Sequence, residues 1–281
     1  MAGDGNYYNV SLLLHGNGAN NSTTITDNSL NAVALTAYGN AKISTTQSKF
    51  SGSSLAFDGT GDYFKISNTI NAGFQFSTGD FSIEMWIYPV SLSSEMGLID
   101  VVLATDIGNR ANSLILVLQP TGKLNFFSAG AYRLASTQTI AINTWTKIEF
   151  IRVVGVFKYF INGVLDASTL SYSVNITSGG CFIGGYGALY EQVGNYNGYI
   201  DELRITKGIA RHTSSYTPEA VAFDDFVNST GNNITKTYLH RAWSPENSAF
   251  VFWTDTAINL SPAATIPTSV VANLVNKCVV M

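Results

Sequence analysis

Three ionisable side chains fall within four residues of the stretch GYIDELRI: Asp201, Glu202 and Arg204. Two carboxylates beside a guanidinium suit general acid–base work, cation binding or a structural ion pair. The stretch alternates as a strand does, and strict alternation puts Asp201 on the side of Leu203 and Ile205. A carboxylate at the rim of a core needs a compensating partner. Glu202 and Arg204 then share the opposite face, where a solvated or cross-strand pair is expected. A second kind of chemistry sits in two segments rich in Gly, Asn and aromatic rings. Residues 185–199, GYGALYEQVGNYNGY, carry Tyr186, Tyr190, Tyr196 and Tyr199; residues 57–64, FDGTGDYF, carry Asp58, Asp62 and Tyr63. Aromatic loops of this kind mark recognition surfaces, or else simply close the edge of a sheet.

Nucleophilic and hydrolytic chemistry finds little support. Glycoside hydrolysis needs paired carboxylates, about 5–5.5 Å apart in retaining enzymes. No Glu-x-Asp-x-x-Glu run occurs, Glu84 in SIEMW is the single acid on its strand, and Asp224-Asp225 lies outside the strand-rich region. His15, His212 and His240 stand without a readable triad, and GxSxG, HExxH and phosphate-cradling glycine patterns are missing. Cys181 and Cys278 make neither a disulfide framework nor a zinc spacing and read as quiet thiols. The chain is read as a non-enzyme.

The elements that must position these residues are short strands. Phe81, Ile83, Met85 and Ile87 alternate with Ser82, Glu84, Trp86 and Tyr88 before Pro89 ends the run. Strands over 113–118 and 123–127 flank a Gln119-Pro120-Thr121-Gly122 turn, and strands over 146–153 and 156–161 flank Val154-Gly155. Asn162-Gly163 is a strong hairpin signal and leads into a strand over 164–167. Shorter strands fit 11–14, 53–57, 63–66, 97–104, 181–184 and 198–206. Trp86 and Trp145 are placed in strands and in the core. Many short strands without an amphipathic helix predict an all-β, two-sheet sandwich.

The 281 residues allow a large sandwich plus an appendage. Charged residues make up only 12%, about half the usual share, so the polar surface rests on Asn, Ser, Thr and Gly. With a net charge of −4 and no basic cluster, nucleic-acid binding by counterion release is not expected. The apolar run at Leu12–Leu14 is too short for a signal peptide or a span, and the tail run after Ser269 is too interrupted, so no membrane insertion is expected. Composition changes near Phe223. Residues 1–223 are read as one domain and 224–281 as a C-terminal extension for attachment or oligomerisation.

Five pieces now occur in order: SLLLHGNGANNSTTITDNS, GNAKISTTQSKFSGSSLAFDGTGDYFKI, FSIEMWIYP, TWTKIEFIRVVGVFKYFINGV and GYIDELRITKGIARHTSSYTP. Together they resemble the concanavalin A-like jelly roll of the laminin-G type, in the version common in tailed-phage virion proteins. The resemblance covers about residues 11–223. It implies an antiparallel jelly roll whose first and last strands are neighbours, sugar binding, and a structural Ca²⁺. By the same resemblance Asp27, in ITDNS, and Asp201 correspond to the acidic loop residues that are often metal ligands, and Ca²⁺ with its loose oxygen shell suits such a place. For Asp201 a hydrogen-bonded cap on neighbouring amides is the competing reading. The loop after Asp27 lacks the Gly common in relatives. The expected glycan site comprises Tyr186, Tyr190 and Tyr196 with Asp58, Asp62 and Tyr63. The expected setting is the virion surface, as a tail-fibre or head-decoration component made in the host cytoplasm and forming homo-oligomers. Its partners would be other virion proteins and host-surface polysaccharide. The alternative is an architectural capsid or tail cement protein that binds no sugar.

Overall fold

The alternating sequence is converted into two stacked antiparallel sheets in a computed structural model, which describes residues 4–66, 72–102, 112–177, 180–188, 191–224, 239–244 and 249–254. Strands are numbered in chain order. The first sheet contains β1 (Val10–Leu14), β3 (Lys42–Ser44), β4 (Ser54–Asp58), β6 (Phe81–Pro89), β11 (Thr146–Val153), β12 (Val156–Ile161), β13 (Val164–Ser171) and β17 (Asn197–Lys207). Its order is β13-β12-β11-β6-β17-β4-β3, with β1 also on β17. The second sheet contains β2 (Leu35–Tyr38), β5 (Tyr63–Ile66), β7 (Met96–Val102), β8 (Leu114–Leu118), β9 (Leu124–Ser128), β10 (Ala131–Ala135) and β14 (Gly180–Ile183), in the order β10-β9-β8-β7-β14-β5-β2. β15 (Tyr186–Ala188) and β16 (Glu191–Val193) form a small ribbon. This is the expected jelly-roll sandwich, with the first strand beside the last. Among the described residues there is no α-helix.

The inner faces carry the apolar half of each alternation. Phe81, Ile83, Met85 and Ile87 of β6 face Leu114, Leu116 and Leu118 of β8 and Phe126 of β9 across one core. Phe126 and Phe157 stack at 4.8 Å, and Phe81, Phe150 and Tyr159 extend the aromatic cluster. Each such ring or aliphatic side chain contributes roughly 1.5–3 kcal/mol by leaving water. One cation lies inside. Arg152, 1% exposed, donates to the carbonyls of Gly79, Val174, Phe76 and Ser77, and burial lowers its pKa to about 10. Cys181 is a buried core thiol, while Cys278 lies outside the described residues.

β17 organises the first sheet. Along one side it pairs with β6; along the other it meets β4 through Asn197–Ile200 and β1 through Leu203–Thr206. Between these two halves the strand bulges. Asp201 lies opposite Trp86 and Arg204 opposite Glu84, so Glu202 and Leu203 together face Met85, and Glu202 has φ +50. The inserted residue shifts the parity. Ile200, Leu203 and Ile205 enter the core, whereas Asp201 and Arg204 lie on the outer face with Trp86 and Glu84. Strict alternation, which put Asp201 beside Leu203 and Ile205, therefore fails here.

The chain divides into two compact units, Gly5–Asp225 and Met1–Asp4 with Phe226–Met281. In the second, the described residues besides Asp4 are a hairpin of β18 (Leu239–Ser244) and β19 (Ala249–Thr254).

Candidate functional site

The outer face of the first sheet is shared between a covered half and an open half. Residues 208–223 cross the covered half as a strap. Gly208 donates to the Asp80 carbonyl, the Arg211 amide to Ser82 Oγ, and the Tyr216 amide to the Gly163 carbonyl. The Asn162-Gly163 turn suits this crossing. Gly163 has φ +75, and a Cβ there would lie 2.1 Å from the Tyr216 carbonyl oxygen.

Beneath the strap lies a charge network. Glu84 and Glu149 are direct cross-strand neighbours on β6 and β11, and both are fully buried. Arg204 grips Glu84 with Nε at 2.8 Å and a terminal nitrogen at 3.1 Å, with Lys147 Nζ at 3.6 Å and Arg211 Nε at 3.5 Å. Burial alone would raise the Glu84 pKa, but Arg204, Lys147 and Arg211 outweigh it and hold it near about 2. Glu149 is raised by burial and by the charge of Glu84, against a 2.8 Å contact to His212 Nδ1. Glu219 of the strap reaches Lys147 at 3.1 Å, and the Phe223 ring lies 3.7 Å from the Arg204 guanidinium and 4.1 Å from Lys147 Nζ. Glu84 is the single acid on β6, as expected, but Glu149 of β11 stands beside it, and Arg204 makes the cross-strand alternative of its two expected roles, as a buried pair with Glu84. Glu202 is buried as well, accepting from the Phe223 amide and contacting His15 Nδ1 at 2.9 Å. Ligand atoms of Glu84, Glu149 and His212 lie within 4.8 Å of one another, but three cations already compensate the carboxylates. The cluster fits an ion network under the strap in which both carboxylates of the strand pair are buried.

The two residues expected to hold Ca²⁺ are each engaged with backbone amides. Both oxygens of Asp27 are occupied: Oδ1 accepts from the amides of Leu13 and Ser29, and Oδ2 from the Ser29 hydroxyl and the Val33 amide. That is a cap fixing the loop after β1. Asp201 Oδ2 accepts from the Lys49 and Phe50 amides at 2.7 and 3.1 Å, while Oδ1 is buried without a partner. Each carboxylate holds a different loop, which is the capping arrangement. Burial raises the Asp201 pKa to about 7 despite those two amides.

The open half carries a lateral row. Register places Lys42 of β3 opposite Ala56 of β4, Ala56 opposite Tyr199 of β17, and Tyr199 opposite Tyr88 of β6. Trp145, immediately before β11, packs on Tyr88 at 5.4 Å, and Tyr88 meets Tyr199 edge-on at 6.0 Å. All three rings are half-buried. Trp145 is therefore a surface ring at a strand end, whereas Trp86 is buried on the outer face beneath Phe50 and Lys49. Beside the row opens a cavity of about 520 Å³ whose lining includes Asn20, Asn40, Lys42, Asp58, Asn197 and Tyr199.

Of the expected glycan residues, Asp58 and Asp62 line this cavity. Asp62 accepts from the Asn40 and Asp58 amides, and burial raises its pKa; Asp58 accepts from the Thr60 amide and from Asn40 Nδ2. Tyr63 lies on the other sheet, stacked on Tyr38 at 4.5 Å. Tyr186 turns back to donate its hydroxyl to Glu95. Tyr196 is fully buried against Phe57 and donates to the Tyr199 carbonyl, so it is core and not a binding ring. Tyr190 lies outside the described residues. Missed were Lys42, Tyr88, Trp145 and the Asn20 loop. The outward positions of FSIEMWIYP and GYIDELRI contained Tyr88 and Tyr199, but only strand register shows that they are neighbours.

Residues 58–215 match the profile described as the concanavalin A-like lectin/glucanases superfamily. Among solved structures, domain 4 of the extracellular arabinanase AbnA of Geobacillus stearothermophilus, in complex with arabinotriose, is 17% identical with a TM-score of 0.50 over 71% of this chain and 92% of that one. The botulinum neurotoxin serotype C1 binding domain is 18% identical with a TM-score of 0.51, covering 73% of this chain and 50% of that one. The binding domain of botulinum neurotoxin DC, in complex with rat synaptotagmin II, is 17% identical with a TM-score of 0.53, covering 78% and 50%. The chain thus spans about half the length of these toxin domains. At such identities the likeness is one of fold. No curated protein matches the sequence.

Proposed function

This chain belongs to the concanavalin A-like lectin/glucanase superfamily, and from that premise we propose that its sandwich is a non-catalytic carbohydrate-binding domain. One observation carries the reading: a polar cavity of about 520 Å³ beside the half-buried row Tyr199, Tyr88 and Trp145. Ring faces cover the apolar side of a sugar, and amide, hydroxyl and carboxylate groups take its hydroxyls. The acid pair nearest to a hydrolytic arrangement, Glu84 and Glu149, is fully buried under the strap, which supports binding without cleavage.

The proposal extends to the setting suggested by the order of sequence motifs. The domain is carried on a tailed-phage particle, attached or oligomerised through residues 224–281, and holds host-surface polysaccharide weakly and in many copies. Binding to an array of bacterial surface glycans tests the first part. Selective binding that Tyr199→Ala removes, with folding intact, is the expected result; absence of binding even by multimerised protein overturns it and favours the architectural role. Detection of the protein in purified particles tests the setting.

A further inference from the structure

We infer that the groove selects acidic oligosaccharides, with a sugar carboxylate seated on Lys42 and the adjoining rings laid along Tyr199, Tyr88 and Trp145. This deepens the carbohydrate-binding reading and rests on it. Lys42 stands at one end of the lateral row, on the floor of the cavity, and is half-buried. Within the row Lys42, Ala56, Tyr199, Tyr88 and Trp145 it is the single charged side chain. Among the described residues its ammonium has no ion-pair, hydrogen-bond or ring partner. The other charged groups of the cavity are the carboxylates Asp58 and Asp62, which keep their charge but have lone pairs taken up by neutral donors. Asp62 holds the Asn40 and Asp58 amides, and Asp58 holds the Thr60 amide and Asn40 Nδ2. Asp58 also lies two residues along β4 from Ala56, about 7 Å from the row at the rise of an extended strand.

The uncharged lining points the same way. Asn20 Oδ1 accepts from the Thr45 amide, which leaves its NH₂ group, without a partner among the described residues, as the donor that Asn20 can offer to the cavity. Ala56, between Lys42 and Tyr199, is small enough to leave depth over the floor. The site therefore offers a cation and an amide donor at one end and ring faces along the rest. A carboxylate gains a charge-assisted hydrogen bond there that a neutral hydroxymethyl group does not. At the usual strand spacing the row spans about 19 Å from β3 to β11, room for several sugar rings lying across the strands.

The test is an array of matched pairs: uronate and sialate oligosaccharides beside the same sugars with each carboxyl methyl-esterified, and neutral oligosaccharides as a third set. Wild-type protein and Lys42→Met are compared after confirming equal melting temperatures. The expected result is preference for the free acids, a roughly tenfold loss on esterification, and a similar loss in Lys42→Met confined to the acids. Esterification changes the ligand alone, so the comparison holds even where a variant folds poorly. Equal binding of acids, esters and neutral sugars by wild type overturns the acidic selectivity and leaves the carbohydrate reading standing. Binding of no glycan from any set overturns both.

Discussion

Tyr196 and Tyr199 lie three residues apart, yet the physical work of the two rings differs completely. Tyr196 is fully buried against Phe57, while Tyr199 stands half-buried in the outer row. Tyr196→Ala is expected to cost about 3–5 kcal/mol through the cavity it leaves, seen as a lowered melting temperature. Tyr199→Ala is expected to leave melting nearly unchanged and to weaken glycan binding about tenfold, ~1.4 kcal/mol, in calorimetric titration. If both variants behave alike, the assignment of the row is wrong. Asp201 makes a different prediction. Its folded pKa, about 7, lies above the ordinary carboxylate value, so the folded state holds a proton that the unfolded state has released. That proton favours folding below about pH 4, and the contribution declines as pH rises from 4 to 7. Asp201→Asn should flatten this part of the stability profile, read from urea melts at successive pH values. Asp27, saturated by four donors, predicts coincident melting midpoints in excess Ca²⁺ and in chelator. A calcium-dependent midpoint would show that one of these caps opens to a metal. At this scale the sequence disclosed which residue types are available. It did not disclose which tyrosine faces inward, because 197–199 begins an interior strand whose neighbours, β4 and β6, are distant in sequence.

Elements decide those neighbours. The Asn162-Gly163 turn was legible because positive φ at both central residues, +49 and +75, is a local demand that Asn and Gly meet; at Val154-Gly155, with +48 and +74, only Gly155 gave the signal, since a β-branched residue rarely adopts positive φ. The bulge at Glu202 was not legible. A single inserted residue in β17 leaves the alternation looking regular in sequence while moving Asp201 to the outer face. The strap was hidden for a related reason. Residues 208–223 have no periodicity of their own, and their positions are set by tertiary contacts with Ser82, Glu149, Gly163 and Glu202. Glu84 is the electrostatic centre of what the strap covers. Glu84→Gln removes the charge that balances Arg204, Lys147 and Arg211, and should cost about 3–5 kcal/mol in chemical denaturation. Because the folded pKa of Glu84 is depressed to about 2, its contribution is present above the unfolded value and fades as pH falls toward 2. The wild type should therefore lose stability in acid more steeply than Glu84→Gln. Equal acid slopes would mean that the network does not stabilise the ionised form.

The whole molecule joins a sandwich with an open groove to a second compact unit made of Phe226–Met281 with Met1–Asp4. A groove lined by half-buried rings and exposed amides gives modest affinity per site, since much of a bound sugar keeps contact with water. Low charge, 12% of residues, adds little long-range attraction. On the proposed reading, retention on a glycan-coated surface comes from several sandwiches engaging at once, and the unit from Phe226 to Met281 is the part proposed to gather them. It is too short to build a large core alone, which suits an element completed by copies of itself or by a particle protein. The consequence is measurable with two assays on one pair of proteins. Removing residues 226–281 should leave the affinity for a soluble oligosaccharide unchanged in calorimetry, because the row and cavity lie wholly within Gly5–Asp225. Retention on an immobilised polysaccharide should fall by about 10²–10⁴ as multivalency is lost, with light scattering reporting a monomer in place of an oligomer. A truncated chain that keeps both its oligomeric state and its retention would move the assembly contacts onto the sandwich. A truncated chain that loses affinity for the soluble sugar would mean that the C-terminal unit contributes to the site.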